Sequence, residues 1–312
     1  MPAILTLTMN PALDVFTSID TVIATHKLRC AAAQTHPGGG GINVARVIHR
    51  LGGDVLALFP AGGVTGRELQ ALIEAEQIAY RCIAITQETR ESFSVHETRS
   101  GQDFRFVLPG PCLNEAEWAQ CLDALQALQP APQFVVASGS LPPGVPDDFY
   151  ARVAEQVRER GGRLVLDTSG PALARALQAG VYLVKPSLRE LRDLTGLPLT
   201  DQADWCAAAR QIIQAGQAQV VALSLGADGA LLVTAQQAWR AFSLPVNVAS
   251  TIGAGDSFLA ALVWALAQGK APQEALPYAM AAGAAALLSP GTALCQPEDV
   301  ERLRRDVRVV AA

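Results

Sequence analysis

A carboxylate placed after three small residues, at the head of an apolar run, is the strongest chemical signal in this chain. In Thr251-Ile252-Gly253-Ala254-Gly255-Asp256-Ser257-Phe258, the run from Phe258 to Leu266 predicts a buried helix with Asp256 in its first turn. Small residues let a ligand approach the backbone closely, and the free N–H groups of a helix start attract anions. A carboxylate there would repel a phosphate that was only bound. It makes sense if Asp256 faces a hydroxyl about to attack that phosphate. The segment therefore points to phosphoryl transfer to an alcohol.

Other residues can complete such a site. Pro37-Gly38-Gly39-Gly40-Gly41 leads into Ile42-Asn43-Val44-Ala45-Arg46, a helix start where Asn43 can bond a sugar hydroxyl. Four consecutive glycines are entropically expensive, which favours a ligand contact over a merely flexible loop. The segment is neither a Rossmann fingerprint nor a Walker A loop, because no strand runs directly into it and no Gly-Lys-Ser/Thr follows. Asp14 follows the first strand and either accepts bonds from vicinal hydroxyls or is an ordinary turn carboxylate. Lys27, Arg29, Arg90 and Arg105 are each unremarkable singly. Gathered in one layer, they suit a phosphate brought in by the substrate. Ser140, Asp167, Lys185, Ser187 and Glu190 all fall just beyond strands, where a parallel sheet forms its ligand crevice. On its helix, Glu190 could steer Mg²⁺-bound waters. Ser224-Leu225-Gly226-Ala227-Asp228-Gly229 reads equally as a plain hairpin or as a nucleotide wall.

The elements that must position these residues alternate. Strand patterns cover Ala3–Met9, Asp54–Pro60, Gln133–Ser138, Arg163–Asp167, Val181–Val184 and Gln219–Leu225. Helical patterns cover Ile42–Leu51, Gly66–Glu76, Glu115–Leu128, Asp147–Arg160, Pro171–Gln178 and Asp204–Ala215, and the tail reads as helices over 256–268, 272–288 and 297–308. That order predicts a three-layer α/β/α sandwich with a mostly parallel central sheet. Two segments that are more polar, Val15–Gln34 and Ser92–Val107, interrupt it. Ser92–His96 and Phe104–Val107 alternate in the strand period around the turn Arg99-Ser100-Gly101-Gln102, which predicts an inserted β layer, a lid over about 12–36 and 88–110 of a single domain, 1–312.

Composition narrows the function classes. The chain has 312 residues, half of them hydrophobic, and a formal net charge of −5. A dedicated nucleic-acid or anionic-membrane binder is therefore not expected. The six cysteines are scattered without a CxxC pair, and the four histidines make no metal-ligand spacing with them. Met1–Asp14 lacks a basic leader, and the longest apolar runs, 258–267 and 279–288, are shorter than a membrane span of about 20 residues. A cytoplasmic protein is expected.

Gly-Gly-Gly-Gly-Ile-Asn-Val-Ala, Ser-Gly-Ser-Leu-Pro-Pro-Gly and the late Gly-Ala-Gly-Asp together resemble the ribokinase-like, or PfkB, family of carbohydrate kinases along essentially the whole chain. The resemblance implies a ribokinase-like fold with a β-sheet lid that also forms a homodimer interface. It implies ATP as donor with Mg²⁺, Asp256 as base, and Gly253, Ala254 and Gly255 as an anion hole. Asp14, Gly38, Gly39, Asn43 and Ser140 would hold the sugar, with Lys27, Arg90 and Arg105 around its phosphate. Lys185, Ser187, Glu190, Ser224, Gly226 and Gly229 would line the nucleotide site. A monovalent cation, K⁺, would sit by Ser250, Ile252, Ala286 and Gly291. Lys27–Cys30, Pro37–Arg46, Phe59–Gly63, Arg105–Val107 and Gly291-Thr292 point within the family to fructose 6-phosphate, phosphorylated at C1. Relatives acting on fructose 1-phosphate or tagatose 6-phosphate, the alternative acceptors, carry Lys at the position of Gly40. Ser187 departs from the family's Asn-x-x-Glu, so metal and phosphate contacts there would run through water. A sugar-phosphate sensor would be expected to lack the base, and a nicotinamide oxidoreductase would need a Gly-x-Gly-x-x-Gly after the first strand.

Overall fold

The computed structural model describes residues 3–312. Met1 and Pro2, part of the segment read above for a leader, lie outside the described residues. The chain begins with β1 (Ile4–Leu7), then leaves the core for β2 (Ala12–Ile19) and β3 (Gln34–Gly38). After α1 (Gly40–Arg50), β4 (Val55–Ala61), α2 (Gly63–Ala75) and β5 (Ala79–Ala84) it departs again through β6 (Arg90–Glu97) and β7 (Gln102–Val107). There follow α3 (Glu115–Gln126), β8 (Phe134–Ser138), α4 (Phe149–Glu159), β9 (Arg163–Asp167), α5 (Gly170–Ala179), β10 (Val181–Val184), α6 (Leu188–Thr195), α7 (Gln202–Gln214) and β11 (Ala218–Ser224). A 3-10 turn, Gly226–Asp228, leads to β12 (Ala230–Thr234), β13 (Ala238–Ala241), α8 (Ala254–Ala267), α9 (Pro272–Ala286), α10 (Pro297–Arg304) and β14 (Val309–Ala311).

The large sheet has the order β14-β13-β12-β11-β10-β9-β8-β1-β4-β5. It is parallel from β11 through β5, and β12, β13 and β14 extend it antiparallel. The central strands are apolar on both faces, as helices on each side require. Phe134 and Val136 of β8 pack toward α1, α8 and α9, whereas Val135 and Ala137 pack toward α3, α4 and α5. β1 lies between β4 and β8, so the strand order turns back on either side of it. Such a switch point opens a crevice beyond the strand C-termini. Over that crevice lies the second sheet, in the order β3-β2-β6-β7.

The three-layer α/β fold matches the expectation, with specific departures. The predicted helix over 297–308 stops at Arg304, and Val309–Ala311 instead adds to the sheet edge against Trp239–Ala241. The helix expected from Asp147 begins at Phe149. No helix among the described residues is long and apolar enough to cross a membrane.

Candidate active site

The four glycines hold the centre of the site because neighbouring backbone leaves no room for side chains. A Cβ at Gly40 would lie 2.3 Å from Ser138 Oγ, and one at Gly41 would lie 2.8 Å from the Leu7 carbonyl oxygen. Gly39 caps α1 with a φ of 111°, which disfavours any side chain. The start of α1 is thereby pressed between the ends of β1 and β8. This places Asn43 in a cavity of about 420 Å³, where Gly39 and Gly40 also form part of the wall.

Asp256 reaches the same cavity from the first turn of α8, whose N-cap Gly253 takes a left-handed φ of 78°. Asn43 Nδ2 donates to Asp256 Oδ2 at 2.8 Å across 213 residues of sequence. Burial raises the Asp256 pKa above the ordinary aspartate value, against the lowering effects of the Asn43 hydrogen bond and the Lys185 charge. The raised pKa makes this carboxylate a better proton acceptor than an ordinary aspartate.

Charge is distributed around this centre. Lys185 Nζ lies 3.1 Å from Asp167 Oδ1, and a Cβ on Gly255 would be 3.7 Å from the same ammonium. Burial depresses the Lys185 pKa, but Asp167, then Asp256 and Glu190, more than offset it and hold the ammonium charged. Burial pushes Asp167 up to about 6 and Asp14 likewise up to about 6, the latter against Arg105, Arg46 and Arg90. On the lid wall, Arg90 binds the carbonyl oxygens of Asn10 and Leu108, each at 3.0 Å, and its buried Nε has no partner. Arg105 is exposed into the opening, and Asn10 Nδ2 donates to Ser140 Oγ at 3.1 Å.

Of the residues singled out from sequence, Asp14, Gly39, Asn43, Arg90, Arg105, Ser140, Asp167, Lys185, Glu190, Ile252, Gly253, Gly255 and Asp256 converge on this cavity. Others take different places. Gly38 lies beneath the Asp14 carboxyl, at whose position its Cβ would stand, and Lys27 is exposed on the lid excursion. Ser187 caps α6 in a capping box, accepting from the Glu190 N–H while Glu190 Oε2 accepts from the Ser187 N–H at 2.7 Å. An N-cap asparagine would serve the same turn, so the departure from Asn leaves the helix start intact. Ser224 bridges to Ser187, and Gly226 and Gly229 flank the turn after β11, outside the cavity wall. Ala254 opens α8 without reaching the cavity. Gly291 and Ile252 line a separate void of about 10 Å³ with Asp14, Phe16 and Arg105, and Ser250 and Ala286 line neither space.

Sequence reasoning missed Ser92, Thr168, Ser169, Thr251 and Thr292 in the wall. It also missed Arg46, which is almost fully buried. Its guanidinium donates to the carbonyl oxygens of Thr292 at 2.9 Å and Pro37 at 3.1 Å, and pairs with Glu76 at 2.7 Å. Glu76 is shared with Arg50; burial would raise its pKa, but the two arginines hold it low. The i, i+3 and i, i+4 spacing of Asn43, Arg46 and Arg50 on one helix face was the available signal.

Residues 8–299 match the pfkB family carbohydrate kinases. The chain belongs to that family. The ATP-dependent 6-phosphofructokinase isozyme 2 of Mycobacterium tuberculosis is 50% identical over 301 residues, covering 96% of this chain and 88% of that one. The Escherichia coli enzyme of the same description is 40% identical over 304 residues, covering 97% and 98%. Phosphofructokinase-2 from Escherichia coli superimposes with a TM-score of 0.93 at 39% identity in its potassium complex. In its fructose-6-phosphate complex the TM-score is 0.92 at 38% identity, and in both 98% of this chain and 99% of the other are covered. The family and its kinase chemistry agree with the reading from residues.

Proposed function

We propose that this chain is an ATP-dependent 6-phosphofructokinase, transferring the γ-phosphoryl group of ATP to the C1 hydroxyl of fructose 6-phosphate. The observation that carries this is the Asn43-held carboxylate of Asp256 at a helix start, in one cavity with the oligoglycine turn and two lid arginines. Asp256 accepts the hydrogen bond of the C1 hydroxyl and takes its proton late, as the transferring group arrives, because such transition states are loose. The N–H groups of Gly253 and Gly255, which line the cavity, face the charge that develops on the phosphoryl oxygens, and Lys185 adds its ammonium beside them. Asp14, Gly39, Asn43 and Ser140 orient the sugar, with Gly38 leaving room for the Asp14 carboxyl. Arg90 and Arg105 take its 6-phosphate, the group that unphosphorylated fructose lacks.

Among the described residues no group of three or more His, Cys, Asp or Glu side chains is arranged to hold a metal ion. Mg²⁺ in such a reaction keeps several waters and is bound largely through substrate phosphates. Glu190, whose second carboxylate oxygen is left by the capping box, would hold it through water, and the ion would supply charge neutralisation on the ATP phosphates. Ser187, Ser224, Gly226 and Gly229 are assigned to the nucleotide beyond Lys185. The backbone at Ser250, Ile252, Ala286 and Gly291 is assigned to K⁺. The same reading takes the four-stranded sheet as the lid of one domain and as the face of a homodimer, and the protein as cytoplasmic. Lys27, exposed on that lid, would then meet a sugar phosphate only across the interface.

The test is an ATP-dependent assay with fructose 6-phosphate, tagatose 6-phosphate, fructose 1-phosphate and fructose, run beside Asp256→Asn. Fructose 6-phosphate should be the best acceptor, and the variant should lose a factor on the order of 10²–10⁴ in kcat with binding largely kept. Equal activity on fructose would remove the phosphate role of the arginines, and near-normal turnover in Asp256→Asn would remove the base.

A further inference from the structure

The core-facing side of the lid carries three cross-strand rungs. Asp14, Ser92 and Val107 form the first, Phe16, Ser94 and Arg105 the second, and Ser18, His96 and Asp103 the third. The first rung lines the active-site cavity, and the second lines the small void with Ile252 and Gly291. The third leaves both spaces and reaches the loop that leads into α8. His96 Nδ1 lies 2.8 Å from Asp103 Oδ1, and Ser250 Oγ donates to Asp103 Oδ2 at 3.3 Å. The Ile252 N–H in turn donates to Ser250 Oγ at 3.2 Å. Two aspects of one hydroxyl are thus in use: its hydrogen is aimed at the lid and its lone pair at the backbone directly before Gly253.

No helix or strand covers the stretch between β13 and α8. On its far side the loop is held by the Leu287 carbonyl, which accepts from the Ala249 N–H at 2.7 Å. On its near side it is held through Ser250, which is 2% exposed. A buried hydroxyl that loses its acceptor turns toward another one, and here that rotation would withdraw the lone pair from Ile252.

We propose that Asp103 is a positioning residue for phosphoryl transfer: from the lid it fixes the Ser250 hydroxyl and, through Ile252, the course of the backbone into the anion hole. This rests on the function proposed above. Its effect belongs to the transition state, since the anion hole binds charge that develops during transfer, so it lies in kcat rather than in substrate affinity. The half-buried pair with His96 stays within the lid; the link to Ser250 is what gives Asp103 its reach.

The experiment measures steady-state kinetics with fructose 6-phosphate and MgATP for Asp103→Ala, Asp103→Asn, Ser250→Ala and the double alanine variant. Asp103→Ala and Ser250→Ala should each lower kcat about tenfold, the scale of a misplaced catalytic group, with both KM values within about twofold. The double variant should fall no further than either single one, as members of one chain do. Asp103→Asn keeps an acceptor for Ser250 and should stay within about threefold of wild type. Hydrogen exchange of the unliganded proteins gives a readout independent of substrate: the amides of 251–256 should exchange faster in Asp103→Ala and not in Asp103→Asn. Wild-type kcat in Asp103→Ala, additive losses in the double variant, or unchanged exchange at 251–256 would each overturn the proposal. A wild type inactive on fructose 6-phosphate that still showed the exchange difference would overturn the assigned acceptor instead.

Discussion

At the scale of single residues, the site works by opposing burial with a few placed partners. Asp256 is raised by burial and drawn back by Asn43, so Asn43 both orients the carboxylate and sets where it ionises. Removing the amide in Asn43→Ala should raise the Asp256 pKa further. Because the proposed base acts ionised, the acid limb of the kcat/KM profile should then move to higher pH while the alkaline limb stays. An unmoved acid limb would take Asn43 out of this role. Asp14 presents the opposite side of the same balance. Its folded pKa of about 6 stands above the ordinary 3.8, because burial outweighs the attraction of Arg105, Arg46 and Arg90. An acid raised in this way stabilises the fold fully below pH 3.8, and that contribution is lost as pH rises to about 6. Asp14→Asn should therefore melt higher than wild type at pH 7.5, with the difference shrinking toward pH 4, while affinity for the sugar phosphate falls. Equal melting temperatures at pH 7.5 would show that the cations already compensate the buried charge. A site that carries this penalty illustrates the usual exchange of stability for function.

At the scale of elements, glycine serves two distinct purposes, and two alanine variants separate them. In Gly41→Ala the new methyl would meet Thr8 Oγ1 at 2.4 Å and the Leu7 carbonyl oxygen at 2.8 Å, so α1 must move away from β1. That should destabilise by about 1–3 kcal/mol and shift Asn43 with it. In Gly255→Ala the nearest neighbour is Lys185 Nζ at 3.7 Å, an ordinary contact, and the position is helical. There the melting temperature should hold or rise, because alanine favours the helix, while kcat drops as the methyl crowds the anion hole. Thermal denaturation and turnover on the two variants decide between packing and ligand access. The apolar strands and amphipathic helices of the core were legible because each carries its own period. β5 was not: at the sheet edge it buries only Ile83 fully, and it starts three residues after α2. β14 was not legible either, since three residues become a strand only because β13 offers an edge. In the site, glycine runs and strand-end carboxylates announced themselves. Hydroxyls such as Thr168, Thr251 and Thr292 did not, because a loop threonine carries no local pattern. Ser187 reads as a departure in sequence, yet its capping box keeps Glu190 where an asparagine would have kept it.

At the scale of the whole molecule, the lid keeps a polar face inward and shows an apolar face outward. Phe93 and Phe106 pair across β6 and β7 with ring centroids 6.4 Å apart, on the side opposite Ser92, Ser94 and Arg105. Phe106 and Leu108 are each more than half exposed, and Ile23 and Leu28 add to the apolar surface of the same lid. Apolar surface gathered in this way marks an interaction face. The proposed occupant is a second copy of this chain, because the lid bears Lys27, a cation that its own cavity does not use. A charge in the middle of that face should be decisive. Phe106→Glu should turn a dimer into a monomer by light scattering, with the fold unchanged by circular dichroism. The KM for fructose 6-phosphate should rise more than the KM for ATP, since the proposed function gives the sugar phosphate to the lid and the nucleotide to the region beyond Lys185. A wild type that is monomeric at assay concentration and fully active would refute the shared lid, and Lys27 would then have no route to the substrate.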